Sequence, residues 1–204
     1  MENWPFQATH STLVSSGKLL VWRRARPPSL WNPANHELVE TEQPDYITMD
    51  DLFCAGHSTL ADGRVLAVGG TVVSNNIGSK ESHIFDPATE TSTRAADMTY
   101  GRWYPTITTL HDGRVLAMSG DISKTVRADI PEIYDPVLDT WTALPAAEIA
   151  LENYPRNFVL PDGRVFYVGD NQRQSKVLDI ETQTWVDIDR TIDPKDARAA
   201  SAAM

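Results

Sequence analysis

The chain has 204 residues, 41% of them apolar, six tryptophans and a formal net charge of −10. That length and composition suit one large or two small folded domains and exclude a disordered chain. The acidic surplus excludes the basic face that nucleic acid or an anionic membrane surface demands. No apolar run is long enough to cross a bilayer, so no membrane insertion is expected. The N-terminal segment MENWPFQATH lacks the basic start and apolar core of a secretory signal. Cys54 is the only cysteine, which leaves no intrachain disulfide.

In chain order, HSTLVSSGKLLVW (His10–Trp22) is a loose first copy of a motif that recurs three times. The strong copies are CAGHSTLADGRVLAVGG (Cys54–Gly70), YPTITTLHDGRVLAMSGD (Tyr104–Asp121) and YPRNFVLPDGRVFYVGD (Tyr154–Asp170). Each has a short alternating run, a turn, an apolar run such as Val65-Leu66-Ala67-Val68, and a glycine stop, which is a β-hairpin signature. Asp62-Gly63 is expected to form a two-residue turn with positive φ at both positions. The turn glycines Gly17, Gly63, Gly113 and Gly163 lie 46, 50 and 50 residues apart, a spacing that marks a repeat architecture.

An outer hairpin follows each inner one. These run from Leu30 to Glu40, His83 to Thr93, Glu132 to Leu144 and Val177 to Ile188, with turns built on Asn32-Pro33, Asp86-Pro87, Asp135-Pro136 and Asp179. Trp141 and Trp185 occupy matching places in the last strands. Only Ala146–Leu151 has helical character, for one turn at most. The reading is all-β: a kelch-type β-propeller with four four-stranded blades at about 1–41, 42–95, 96–144 and 145–190 in a single domain. RAASAAM (Arg198–Met204) reads as the start of a fifth blade within 191–204. A strand ending there leaves an open edge, so a partial propeller capable of self-association is expected.

Counting back eight residues from the turn aspartates Asp62, Asp112 and Asp162 gives Cys54, Tyr104 and Tyr154. Equivalent positions of successive repeats fall at equivalent places, so these three should gather at one mouth of the central channel.

At these residues the chain resembles the galactose oxidase and glyoxal oxidase family of copper-radical oxidases. Phe53-Cys54-Ala55-Gly56 matches the family's cysteine motif, and Arg102-Trp103-Tyr104-Pro105 the glyoxal-oxidase version of its tyrosine motif. The resemblance implies a seven-bladed propeller that binds copper and oxidises a primary alcohol, aldehyde or carbohydrate with O2, releasing hydrogen peroxide. It implies that Tyr104 is a catalytic residue, copper ligand and radical site, joined by a thioether to Cys54. Arg156, Tyr154 and Trp103 fall where substrate-binding residues are expected. Square nitrogen and oxygen donor sets suit Cu(II). Family members are commonly exported.

The chain also departs from the family. The axial tyrosine–histidine pair and a late histidine have no counterpart here, so the chain by itself is expected to be inactive. The tryptophan that shields the radical in galactose oxidase is absent: Ser119-Gly120-Asp121 continues Ile122-Ser123. His10 and His57 share an HSTL string and read as repeated structural residues. His36, His83 and His111 read as turn or outer-strand residues. Two readings stand for Cys54, a small buried apolar residue or a crosslink partner, and two for Trp103, a core or rim aromatic or a site residue. The competing function is a non-catalytic kelch-repeat binding propeller.

Overall fold

The computed structural model describes residues 8–22, 27–41, 51–72, 77–169 and 174–188. The strand expected at Arg198–Met204 lies outside the described residues. The chain folds into four four-stranded antiparallel sheets. The first contains β1 (His10–Leu13), β2 (Leu19–Trp22), β3 (Ser29–Trp31) and β4 (Leu38–Glu40), hydrogen-bonded in that order. In the second, β5 (Gly56–Thr59) and β6 (Val65–Val68) are followed by a small ribbon of β7 (Thr71–Val72) and β8 (Ile77–Gly78). Strands β9 (Ser82–Asp86) and β10 (Thr91–Ala95) complete that sheet.

The third sheet repeats the plan. Strands β11 (Thr106–Thr109) and β12 (Val115–Met118) precede a ribbon of β13 (Asp121–Ser123) and β14 (Val126–Arg127), and β15 (Glu132–Asp135) and β16 (Thr140–Ala143) finish it. In the fourth are β17 (Arg156–Val159), β18 (Val165–Val168), β19 (Lys176–Asp179) and β20 (Thr184–Asp187). The helical character expected at Ala146–Leu151 is a 3-10 turn one residue earlier, at Pro145–Ala147. The two ribbons carry no alternating pattern long enough to announce them in the sequence.

The apolar runs explain how the sheets stack. All four residues of β6 and of β12 are buried, which is the pattern of a strand covered on both faces. Val65 and Ala67 pack with Leu20, Trp22 and Leu30 of the first sheet. Leu66 and Val68 turn the other way, toward Val115, Ala117 and Tyr134 of the third. Leu116 and Met118 then meet Val165, Tyr167 and Leu178 of the fourth. The period of two along each strand therefore sends successive side chains into two different cores. The sheets stack in series, face to face.

Tryptophans stitch the outer strands to what precedes them. Trp141 in β16 donates its indole N–H to Ser82 Oγ and to the Ala96 carbonyl, both at 3.1 Å. Trp185 in β20 donates to the Ala147 carbonyl at 3.0 Å. Ser82 is fully buried, so Trp141→Phe strands a buried acceptor. The expected loss is about 1–3 kcal/mol in urea denaturation; a cost below a few tenths of that would show the indole N–H to be dispensable.

The hairpin turns differ from expectation in one respect. Gly63 takes positive φ (+89°) and Asp62 does not. The loop is wider than two residues: Leu60 N–H bonds the Arg64 carbonyl and Gly63 N–H bonds the Leu60 carbonyl. The Asp62 carboxylate accepts from the Arg64 backbone N–H at 3.1 Å and from its Nε at 2.7 Å. The same clasp recurs at Asp112–Arg114 and Asp162–Arg164. Aspartate serves here as an acceptor, which is the Asx role of a turn residue.

Candidate functional site

Cys54, Tyr104 and Tyr154 share one backbone conformation. Their φ angles are +61°, +68° and +53°, a left-handed region in which bulky residues are uncommon. The backbone links them in series: Tyr104 N–H donates to the Cys54 carbonyl and Tyr154 N–H to the Tyr104 carbonyl, both at 3.0 Å. The three positions picked out by the eight-residue offset are thus hydrogen-bonded neighbours from three consecutive sheets. Strain of this kind, about 1–3 kcal/mol per residue, persists only where the surroundings over-determine it.

Among the described residues Arg102 is the largest fully buried side chain. Its guanidinium binds Glu132 Oε2 through Nη2 at 2.9 Å and Nε at 3.3 Å, and the carbonyls of Ser119 at 2.8 Å, Ala128 at 3.4 Å and Ile130 at 2.6 Å. Glu132 in turn accepts from the backbone N–H of Thr99 at 2.6 Å and Tyr100 at 3.4 Å. Burial works against the charged guanidinium, and Glu132 opposes that effect. The backbone at Arg102 is clamped too, donating to Ser79 O at 2.8 Å and accepting from Gly70 N at 2.9 Å. Gly69 is tight against it, since a Cβ there would lie 2.2 Å from the Arg102 carbonyl oxygen.

The next residue, Trp103, pairs through its backbone with Asp121 in both directions, at 3.0 and 2.6 Å. Tyr104 is therefore presented from a segment held at both residues that precede it, Arg102 and Trp103. The loop that carries Tyr154 is held likewise. Asn153 donates to Asp121 Oδ2 at 2.9 Å, Ser119 Oγ donates to the Glu152 carbonyl at 2.7 Å, and Arg127 bonds the Leu151 carbonyl.

The side chains converge as follows. Trp103 stacks on Tyr104 with ring centroids 4.7 Å apart and planes 20° from parallel. Tyr154 meets Tyr104 edge-on at 5.5 Å and 83°. Cys54 is buried, with 8% of the residue exposed. Burial pushes its pKa up, while contacts with Tyr104, Tyr154 and Trp103 pull the other way. Burial, with Cys54 and Tyr104 beside it, raises the Tyr154 phenol above the ordinary tyrosine range, although the residue as a whole is 40% exposed. Cys54, Tyr104, Tyr154 and Trp103 therefore form one cluster. Arg156 lies at the head of β17, two residues past Tyr154 and paired across to Val168.

Two histidines that read as structural in the sequence adjoin this cluster. His10 stands 6.3 Å from the Tyr154 ring and 5.4 Å from His57, and His57 packs on Trp22 at 5.1 Å. Burial, with His57 adding, lowers the His10 pKa to about 4; burial also lowers that of His57. Sequence reasoning also missed Arg102 as more than a motif letter, because a charged residue gives no local sign that it will be buried. Among the described residues no group of three or more His, Cys, Asp or Glu side chains is arranged to hold a metal.

No family model matches the chain. Two galactose oxidases of Gibberella zeae, one of them from strain PH-1, are each 27% identical to it over 147 residues, covering 66% of this chain and 20% of theirs. In fold it is similar to a fungal alcohol oxidase of the AA5 family in complex with copper, with a TM-score of 0.68 at 20% identity. That match covers 90% of this chain and 42% of the oxidase. The chain thus matches about a fifth of the length of the galactose oxidases and 42% of that of the alcohol oxidase. In sequence and in fold, the chain is galactose oxidase-like over a part of its relatives' length.

Proposed function

We propose that this chain supplies the cysteine–tyrosine half of the active site of a copper-radical oxidase. The complete protein would oxidise a primary alcohol or aldehyde with O2 and release hydrogen peroxide. The observation that carries this reading is the buried Cys54 thiol in contact with Tyr104, whose ring is covered by Trp103. The serial stacking of four four-stranded sheets supports four blades of a kelch-type propeller, at about residues 1–41, 42–95, 96–144 and 145–190, within a larger ring.

A thiol whose pKa is raised by burial is a poor nucleophile at neutral pH, so the cluster does not read as a cysteine hydrolase. Its arrangement suits oxidative coupling. A bond from Cys54 sulfur to a ring carbon of Tyr104 breaks one S–H and one C–H bond and releases two protons and two electrons, which oxygen accepts. Tyr104 also fits a metal, as a phenolate oxygen donor of the kind Cu(II) accepts. Bound copper would supply one-electron redox chemistry, accepting one of the two electrons that alcohol oxidation removes, and Tyr104 as its redox partner would accept the other. Among the described residues no group of three or more His, Cys, Asp or Glu side chains adds a donor set to Tyr104, so this chain alone is expected not to turn over.

The other roles follow from position. Trp103 covers one face of Tyr104 and excludes water from it. Tyr154, edge-on to Tyr104 and partly exposed, would border the side where a substrate hydroxyl approaches, and Arg156, which opens β17 two residues on, would bind the substrate.

The test is oxygen-dependent peroxide release by the complete, copper-loaded protein on a panel of primary alcohols and aldehydes. Tyr104→Phe keeps the stacking surface and removes the phenol oxygen, and it should fall to background. Peroxide release at the parent rate in that variant would overturn the assignment.

A further inference from the structure

We propose that His10 and His57 form a two-nitrogen site for monovalent copper beside the Cys54–Tyr104 pair. Nothing in the oxidase reading uses these histidines. They come from equivalent places in β1 and β5, yet from neighbouring sheets, and their rings meet at 5.4 Å centroid separation and 72°. An imidazole nitrogen binds a metal at about 2 Å. A linear nitrogen–metal–nitrogen bridge therefore places two ring centres about 6 Å apart, within a small swing of the observed separation.

A further observation points to a ligand. His10 Nε2 is buried and has no hydrogen-bond partner among the described residues, a condition that calls for a specific occupant in a native fold. Metal ligation requires neutral imidazole, and burial keeps both rings neutral near pH 7.

The donor set selects the ion. Zinc sites use four ligands, or three and a water, and calcium and magnesium want oxygens. No third His, Cys, Asp or Glu completes a group among the described residues. Two imidazoles alone satisfy a d10 ion that accepts linear two-coordination, which is Cu(I). Binding at this pair does not depend on the oxidase reading. Only the ion's destination rests on it: His10 abuts Tyr154, which abuts Tyr104, so the pair would serve as an acquisition site for the copper of the radical centre.

The experiment is anaerobic titration of the 204-residue chain with Cu(I) alone against a chromogenic Cu(I) chelator, in a Cys54→Ser background that removes the thiol. One equivalent should bind, and X-ray absorption should show two nitrogen neighbours and no sulfur. His57→Gln and His10→Asn should each weaken binding at least tenfold, with strand content checked by circular dichroism. Should either variant fail to fold, the absorption spectrum of the Cys54→Ser chain decides. No binding in the Cys54→Ser chain, or unchanged affinity in folded His57→Gln, overturns the proposal. The titration reads ligation by His10 and His57 in a chain that lacks the Cys54 thiol and needs no turnover, so a failed oxidase assignment leaves its result intact, and its failure leaves the oxidase assignment intact.

Discussion

Arg102→Met is expected to destabilise the fold by about 3–5 kcal/mol, the range for removing one partner of a buried ion pair. The guanidinium and the Glu132 carboxylate are both fully buried, at 2.9 Å. Methionine fills much of the same volume but leaves the Glu132 charge uncompensated and the carbonyls of Ser119 and Ile130 without their donors. Domains of this size have only about 5–15 kcal/mol in total, so the urea midpoint should drop sharply. Arg102→Met with Glu132→Leu should recover part of the loss, because two apolar groups leave no orphan charge. A single variant costing under about 1 kcal/mol would mean that solvent reaches this pair.

Cys54→Ser is expected to lower kcat/KM of the complete, copper-loaded oxidase at least about a hundredfold, some 2.7 kcal/mol of transition-state stabilisation. Serine keeps the size and hydrogen-bonding capacity of the thiol and cannot form the thioether. Without sulfur on its ring, Tyr104 loses an electron less readily, so the visible absorption of the oxidised cofactor should vanish together with activity. Stability should change little, because neither residue takes part in the Arg102–Glu132 clamp. Parent activity in Cys54→Ser would reduce Cys54 to a packing residue.

Much of this was legible in the chain itself, for physical reasons. Fully apolar VLAV and VLAM runs announce strands covered on both faces, and the spacing of Gly63, Gly113 and Gly163 announces a repeat. The cluster of Cys54, Tyr104 and Tyr154 follows from register, because repeated hairpins place equal offsets at equal positions. Other features were hidden. Asp62 looks like a positive-φ turn residue, but its carboxylate bonds Arg64 instead. The Arg102–Glu132 pair joins residues thirty apart with no local pattern to betray it. His10 and His57 look like repeated framework residues; only the packing of one sheet on the next brings their rings together beside Tyr154. The stacking of Trp103 on Tyr104 likewise has no local sequence sign.

The central claim is a bond between Cys54 and Tyr104, and peptide mapping of the complete protein after aerobic copper loading tests it most directly. Trypsin releases Tyr104 in the peptide Trp103–Arg114. The account predicts that this peptide appears joined to the one containing Cys54, with a mass lower by two hydrogen atoms than the sum of the two. Recovery of Cys54 as a freely alkylated thiol, or joined to the peptide of Tyr154, would contradict it.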